Sequence, residues 1–375
     1  MKILFIVPSY KPAYIYGGPI VVISLLAENL VQMGHEVTVY TTTANGKSEL
    51  DVTPQNKVKV DGVDVYYFKR ITKDHTHISP SLWKHLYKTA KEYDVIHMHS
   101  WWNILMIGAA WICKLKGIKP LLSPHGMFSD YILTTNNSLK KEAIHKLIGK
   151  RLLSNTYLHV STDLEWEESH KIINNWEGEI IPNPVILSNH VHPKPINDVF
   201  TIGFLSRVDP KKGIDILMKA LKGVSFPYKL KIAGDGEKDY IDSLKKLSID
   251  LGIEQSVEWV GWKKGEEKFN FFAELDLFAL TSHSENFAIV VIESLSVGTP
   301  VLLSDQVGLA KYVEENNLGW ITTLNIQNIT DQLHKAMIEK EKTSTINKVA
   351  PEFIKLEYNT ASLTSKYISF YKKIS

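Results

Sequence analysis

Short apolar runs alternate with helix-length amphipathic stretches along almost the whole chain, and the alternation starts afresh near its middle. In the first half, residues 3–7, 36–42, 63–68, 94–99, 119–123, 157–161 and 178–182 read as strands. The spacing of apolar residues predicts helices over 19–33, 104–116 and 138–153. A second series begins at Phe200, with strands over 201–206, 229–233, 257–260, 275–280, 301–303 and 319–322. Its helices are expected over 214–222, 238–251, 266–272 and 287–295, and the polar, proline-bearing stretch 188–198 reads as a linker. Apolar strands joined by helices form parallel sheets covered on both faces. The chain is therefore expected to be α/β, with one Rossmann-like β/α/β domain over 1–187 and another over 199–355.

Bulk properties narrow what such a pair of domains can do. A length of 375 residues suits two domains, and 44% apolar with 22% charged residues is ordinary for a globular protein. Lys plus Arg (43) nearly balance Asp plus Glu (41), leaving +2, which argues against a nucleic-acid partner. Cys113 is alone, so an internal disulfide is excluded and a reducing compartment is expected. The apolar N-terminal run is too short for a signal peptide and is closed by Pro8. No run is long enough to span a bilayer, so a cytoplasmic protein is expected, with any membrane contact peripheral, at the inner face.

Several loops carry candidate chemistry. Ser282 to Pro300 reads as loop, helix and turn between two buried strands, with Glu285 in the loop and Glu293 about two turns into the helix. Alone, these could be a helix-end charge and a solvated residue. Gly17-Gly18-Pro19 sits at a loop–helix junction, where backbone amides can approach an anion. It is not the G-x-G-x-x-G pattern of a nicotinamide site. His125 lies just past a strand end beside Gly126, able to donate or accept a hydrogen bond or to cap local backbone. His97 and His99 share a strand face, but no acidic or thiol partner accompanies them at a metal-ligand spacing, so no metal site is expected. Arg207 and Lys212 precede a helix, as in a diphosphate clamp, or are surface charges. The 138–153 helix carries Lys140, Lys141, Lys146, Lys150 and Arg151; it reads as a solvated surface or as a contact with an anionic membrane face. Parallel sheets bind ligands at strand C-termini. Two of them facing a central cleft would gather these residues around a phosphorylated, hydroxyl-rich ligand such as a nucleotide-sugar.

With these motifs in this order, the chain resembles the GT-B glycosyltransferases, in the retaining group often called family 4. The strongest element is Glu285…Glu293 followed by Gly298-Thr299-Pro300-Val301, supported by Gly17-Gly18, His125-Gly126, Ile181-Pro182-Asn183 and Arg207…Lys212-Gly213. The resemblance implies a nucleotide-diphosphate sugar donor of UDP or GDP type, and a saccharide or polyprenyl-linked saccharide acceptor in surface polysaccharide assembly. It implies retention of configuration without a metal or other cofactor. By the same resemblance Gly17 and Gly18 lie near the donor phosphates, and His125 contacts the transferred sugar. Arg207 and Lys212 bind the diphosphate, and Glu285 holds a sugar hydroxyl. Asn286 and Phe287 offer backbone amides, Ala288 and Ile289 follow in the same donor loop, and Glu293 takes the ribose. The helical segment 352–373 is expected to cross back to the first domain, as a C-terminal helix within 356–375.

The chain departs from the family pattern at four places. Ala288 and Ser206 stand where glycine is usual, Pro184 follows Asn183 in place of glycine, and Ser294 replaces alanine. An epimerase or phosphorylase of the same fold, and a non-catalytic nucleotide-sugar-binding subunit, are the competing readings. No pyridoxal-type lysine pattern is visible for a phosphorylase, and a binding subunit would be expected to have lost Lys212 or Glu285.

Overall fold

The computed structural model describes residues 1–134, 148–195 and 197–375. The chain forms two compact units, Met1–Pro184 with Thr360–Ser375, and Val185–Asn359. The first holds β1 (Lys2–Ile6), β2 (Glu36–Thr42), the small hairpin β3 (Ala44–Asn45) and β4 (Ser48–Glu49), and β5 (Lys57–Val60). There follow β6 (Val63–Phe68), β7 (Val95–His99), β8 (Leu121–Ser123), β9 (Tyr157–Val160) and β10 (Gly178–Ile180). The main sheet runs β10-β9-β8-β7-β1-β2-β6-β5, parallel except for β5 against β6. Alternate residues of β1 explain why it is central. Ile3, Phe5 and Val7 pack into one apolar cluster with helix Gly18–Gln32 and the C-terminal helix. Leu4 and Ile6 pack into the other, with helices Pro80–Thr89 and Ile104–Leu115. Each such burial stabilises the sheet by about 1.5–3 kcal/mol per large side chain.

The second unit carries β11 (Phe200–Leu205), β12 (Tyr228–Ala233), β13 (Val257–Trp259), β14 (Leu277–Leu280), β15 (Val301–Ser304) and β16 (Gly319–Thr322). Its order is β13-β12-β11-β14-β15-β16, all parallel. The chain winds outward from β11 in one direction and from β14 in the other. The crevice between those two strands is therefore the switch point at which open parallel sheets take ligands. In the first unit the corresponding point lies between β1 and β7.

The stretch 188–198, read as a linker, lies within the second unit. Its polar side chains are satisfied by the second unit: His192 by Asn270 (2.9 Å), Lys194 by Thr299 (2.7 Å) and Asn197 by Asp276 (3.0 Å). The helical stretch 352–373 is two helices, Lys340–Glu357 and Thr360–Ile374. Tyr358 breaks it, because its ring is buried against Phe287 and Tyr312 while Tyr367, Phe370 and Tyr371 pack into the first unit. The basic helix expected over 138–153 lies mostly outside the described residues; only Lys150–Leu153 is seen as α-helix.

Candidate active site

The loop after β11 is built to hold a cation in one place. The Asp209 carboxylate accepts from the Lys211 amide (2.9 Å) and its carbonyl accepts from the Lys212 amide (2.9 Å), closing a tight turn. Gly213 ends that turn at φ +67°. A Cβ there would run into the Thr281 carbonyl oxygen, so only glycine fits. Thr281 Oγ1 donates to the Gly213 carbonyl (2.9 Å) and the His283 amide donates to the Lys211 carbonyl (2.8 Å). These bonds fasten the β11 loop to the β14 loop across the switch point, and Lys212 Nζ meets the Glu285 carboxylate in an ion pair. Arg207 points outward, its side chain 65% exposed and 3.9 Å from Asp209. Lys211, which the sequence did not single out, sits deeply enough that burial lowers its pKa, with Glu285 opposing the shift.

Glu285 is held by its own backbone. Its amide donates to the Gln306 carbonyl (3.0 Å) and its carbonyl accepts from the Gly308 amide (2.7 Å). Ser304 Oγ donates to the Ser282 carbonyl (2.6 Å), tying the start of the loop to the end of β15. Ala288 then caps the helix Ile289–Ser296 at φ +61°. That left-handed conformation costs alanine about 1–2 kcal/mol and glycine almost nothing, which explains why glycine suits this position. Ser294 Oγ donates to the Thr299 carbonyl (3.1 Å), so the hydroxyl in place of alanine is satisfied inside the fold.

Glu293 differs from its expected setting. The helix begins at Ile289, so Glu293 lies little more than one turn in, and it is 4% exposed rather than solvated. Its partner is Lys268, from helix Glu266–Ala273. Burial raises the Glu293 pKa despite that cation. Lys268 was not legible in the sequence, because its pairing is a product of how the two helices pack.

In the first unit, Gly17 adopts φ +74° and caps helix Gly18–Gln32, with Pro19 in its first turn. It ends the loop that follows β1. His125 follows β8 at φ +52°, and its Nε2 lies 3.1 Å from His99 Nδ1 with the rings stacked 5.3 Å apart. The Gly126 amide donates to Glu165 Oε1 (2.6 Å), while Glu165 Oε2 accepts from the Ser161 amide (2.9 Å). Glu165 is buried on helix Asp163–Ile172, whose N-cap Thr162 accepts from the Glu165 amide. One carboxylate thus fixes the turn that carries His125. His125 keeps part of its surface open, yet its ring is packed so closely that burial pushes its pKa down to about 3.

His97 is engaged in a chain of hydrogen bonds whose direction can be derived. His159 Nε2 is 2.9 Å from the Ile181 carbonyl, which can only accept, so Nε2 carries the proton, and because burial keeps the ring neutral Nδ1 is an acceptor. Ser123 Oγ therefore donates to His159 Nδ1 (2.6 Å) and accepts from His97 Nε2–H (2.6 Å). His97 Nδ1 then accepts from the Tyr371 hydroxyl (2.8 Å). Both nitrogens of His97 are occupied by these bonds. Among the described residues, no group of three or more His, Cys, Asp or Glu could hold a metal ion.

Residues 189–353 match the family model for glycosyl transferases group 1, and residues 16–189 match that for glycosyltransferase family 4. A glycosyltransferase of Methanocaldococcus jannaschii is 25% identical, covering 99% of this chain and 98% of its own length. The alpha-monoglucosyldiacylglycerol synthase of Streptococcus pneumoniae is 24% identical over 85% of this chain and 76% of that protein. Among solved structures, Anabaena HepE in complex with UDP superposes with a TM-score of 0.77 at 20% identity, covering 100% of both chains. Sucrose-phosphate synthase from Thermosynechococcus elongatus gives 0.75 at 17% identity, over 99% of this chain and 98% of that one. The shared fold is GT-B.

Proposed function

Matched in succession by those two models from residue 16 to residue 353, the chain belongs to the group 1 and family 4 glycosyltransferases, and we propose that it transfers a sugar from a nucleoside-diphosphate donor to a saccharide or polyprenyl-linked saccharide acceptor in surface polysaccharide assembly. One observation carries this reading. Lys212 and Glu285 meet on the two loops that flank a sheet switch point, and the buried Glu293 follows on the next helix. A cation there suits diphosphate, and the two carboxylates suit sugar and ribose hydroxyls. Relatives and neighbours support the donor class. HepE is described in complex with UDP and with UDP-glucose, and a mycobacterial phosphatidylinositol monomannoside mannosyltransferase is named GDP-mannose-dependent.

In the proposed reaction the bond from the anomeric carbon to the diphosphate oxygen breaks as the acceptor oxygen bonds to the same face of that carbon. The acceptor proton leaves with the phosphate, and configuration is retained. Arg207 and Lys212 meet the charge developing on the leaving group, assisted by backbone amides of Asn286 and Phe287. No metal is assigned a part. Glu285 holds a hydroxyl of the donor sugar, Glu293 the ribose, and Gly17-Gly18 the phosphates. His125 hydrogen-bonds the transferred sugar as a neutral ring.

The test is a thermal-shift series with UDP, GDP and ADP, followed by donor turnover with EDTA present. One nucleotide should raise the melting temperature, because a ligand that binds the folded state alone stabilises it. Lys212→Ala should remove most of that shift, and Glu285→Gln should spare it while abolishing turnover of the sugar donor. A protein stabilised by none of the three would overturn the reading.

A further inference from the structure

Successive residues of β7 point to opposite faces of the sheet. Ile96 and Met98 enter one apolar cluster, while His97 and His99 share the other face and are both buried. Two imidazoles on a buried strand face need hydrogen-bond partners, because a buried polar atom left without one costs about 1–3 kcal/mol. His97 has a partner at each nitrogen. His99 does not. Its Nδ1 faces His125 Nε2 at 3.1 Å, and its Nε2 is buried with no partner among the described residues. Neighbouring rings hold it on three sides: Phe5 (centres 4.8 Å apart), His97 (4.0 Å) and His125 (5.3 Å, planes 13° apart). An apolar side chain would fill the same space without stranding a nitrogen. What an apolar side chain could not supply is the bond from Nδ1 to His125.

The stranded nitrogen gives that bond a direction. Burial keeps both rings neutral, so each carries one proton. If His125 Nε2–H donated to His99 Nδ1, the proton of His99 would sit on Nε2, as a buried N–H with no acceptor. If His99 Nδ1–H donates to His125 Nε2, His99 Nε2 is a bare acceptor instead. Orphaned buried N–H groups are the rarer defect in folded proteins. That favours the second arrangement, which places the His125 proton on Nδ1, since the bond at one imidazole nitrogen sets the state of the other. We propose that His99 is the positioning residue of His125: it holds the ring from inside the fold, occupies Nε2, and leaves Nδ1–H to donate to an oxygen of the transferred sugar. The role rests on the reading of His125 as the sugar contact. His125 suits such a clamp. It stands at φ +52° on a turn that Glu165 fixes through the Gly126 amide, and part of its surface is open. The backbone is thus held by a carboxylate and the ring by a second imidazole.

The experiment is a long-range proton–nitrogen correlation spectrum of the full chain with isotope-labelled histidine, at neutral pH and without ligand. The two sets of signals are identified by their loss in His125→Gln and in His99→Asn. Each ring should show a protonated Nδ1 and a bare Nε2. A proton on His125 Nε2, or an even mixture of its tautomers, would overturn the proposal. His99→Phe keeps a ring in place but has no nitrogen. It should leave His125 as a mixture of tautomers and slow turnover of the sugar donor about tenfold through kcat, because a sugar contact held loosely loses rate. The nucleotide-induced thermal shift should persist in that variant. His99→Asn, whose amide can donate from near the Nδ1 position, should recover most of the rate, and His99→Phe should slow nothing further beside His125→Ala. Full turnover in a folded His99→Phe variant would overturn the positioning role, as would a loss that persists beside His125→Ala. If His99→Phe does not fold, the wild-type spectrum and His99→Asn decide. The assigned tautomers in a protein that no nucleotide stabilises would overturn the donor reading and leave the His99–His125 bond standing.

Discussion

Lys268→Met isolates a buried carboxylate of the candidate site. Glu293 is 4% exposed and the Lys268 side chain only 25%, so solvent screens their attraction far less than it screens a surface pair. Breaking a buried pair by removing one partner typically costs about 3–5 kcal/mol. The upper figure is not reachable here, because the stranded carboxyl can protonate instead. Its pKa is already raised by burial from 4.5, and Lys268 is what opposes the rise. At pH 7 the cost of staying ionised cannot exceed that of taking up a proton, about 1.4 kcal/mol per pH unit above 4.5, or roughly 3 kcal/mol. The sign follows. A carboxyl whose folded-state pKa is raised binds its proton more tightly in the folded than in the unfolded chain. Stability is therefore intact below about pH 4.5 and is lost as pH rises through the folded pKa. Urea titrations of wild type and variant at pH 4.5, 6 and 7.5 should show a deficit near zero at the lowest pH, growing to about 2–3 kcal/mol. Glu293→Gln in the Lys268→Met background should flatten that slope. A deficit independent of pH, or one below about 0.5 kcal/mol throughout, would refute the assignment of Glu293 as a buried, cation-dependent carboxylate.

Gly213→Ala should lower stability by about 2–4 kcal/mol, since it combines a left-handed backbone with collision against Thr281, and it should weaken the nucleotide-induced thermal shift by displacing Lys212. Glu165→Gln leaves one acceptor oxygen for two buried amides, so about 1–3 kcal/mol of stability should be lost. Transfer should also slow several-fold in that variant, but no further when His125 is already alanine, which a double-mutant cycle on turnover would read. His159 is buried, and its pKa is depressed from 6.5 to about 4; its contribution to stability is therefore present above pH 6.5 and falls away towards pH 4. His159→Gln should make the acid limb of a stability–pH profile shallower by up to roughly 3 kcal/mol across that window, and an unchanged limb would remove His159 from the account.

Both sheets were legible because parallel strands covered on two faces leave unbroken apolar runs. Where the environment is one-sided the signal fades. Lys57–Val60 is an exposed edge strand of alternating lysine and valine, and only the Asp61-Gly62 turn, with both φ positive, marks its hairpin to β6. The helices Pro80–Thr89 and Asp163–Ile172 were likewise unread, although Ser79-Pro80 and the spacing Thr162…Glu165 are helix-start signals. Residue types at the site were legible; their pairings were not. Lys212 meets Glu285 across 73 residues and Lys268 meets Glu293 across 25, and neither separation has a local periodicity that announces contact. The strain at Ala288 is the converse case. The resemblance exposed the departure from glycine, and the positive φ supplies its reason.

The histidines of the first unit constrain what His125 can contribute. The bonds that run from Tyr371 through His97, Ser123 and His159 to the Ile181 carbonyl are all satisfied with neutral rings, the form that burial favours. The His97 ring centre is 4.0 Å from that of His99, which in turn bonds His125. Of the two facing nitrogens, His99 Nδ1 and His125 Nε2, one carries the proton and the other accepts it, so these rings are also joined as neutral partners. Burial pushes all four pKa values down, to about 3 for His125 and about 4 for His159. At neutral pH, then, His125 offers a directed hydrogen bond and no charge. If it meets the transferred sugar, it orients a hydroxyl. The cationic work that the proposed reaction requires at the leaving diphosphate has to come from Arg207 and Lys212, and that division of labour follows from the burial of the histidines.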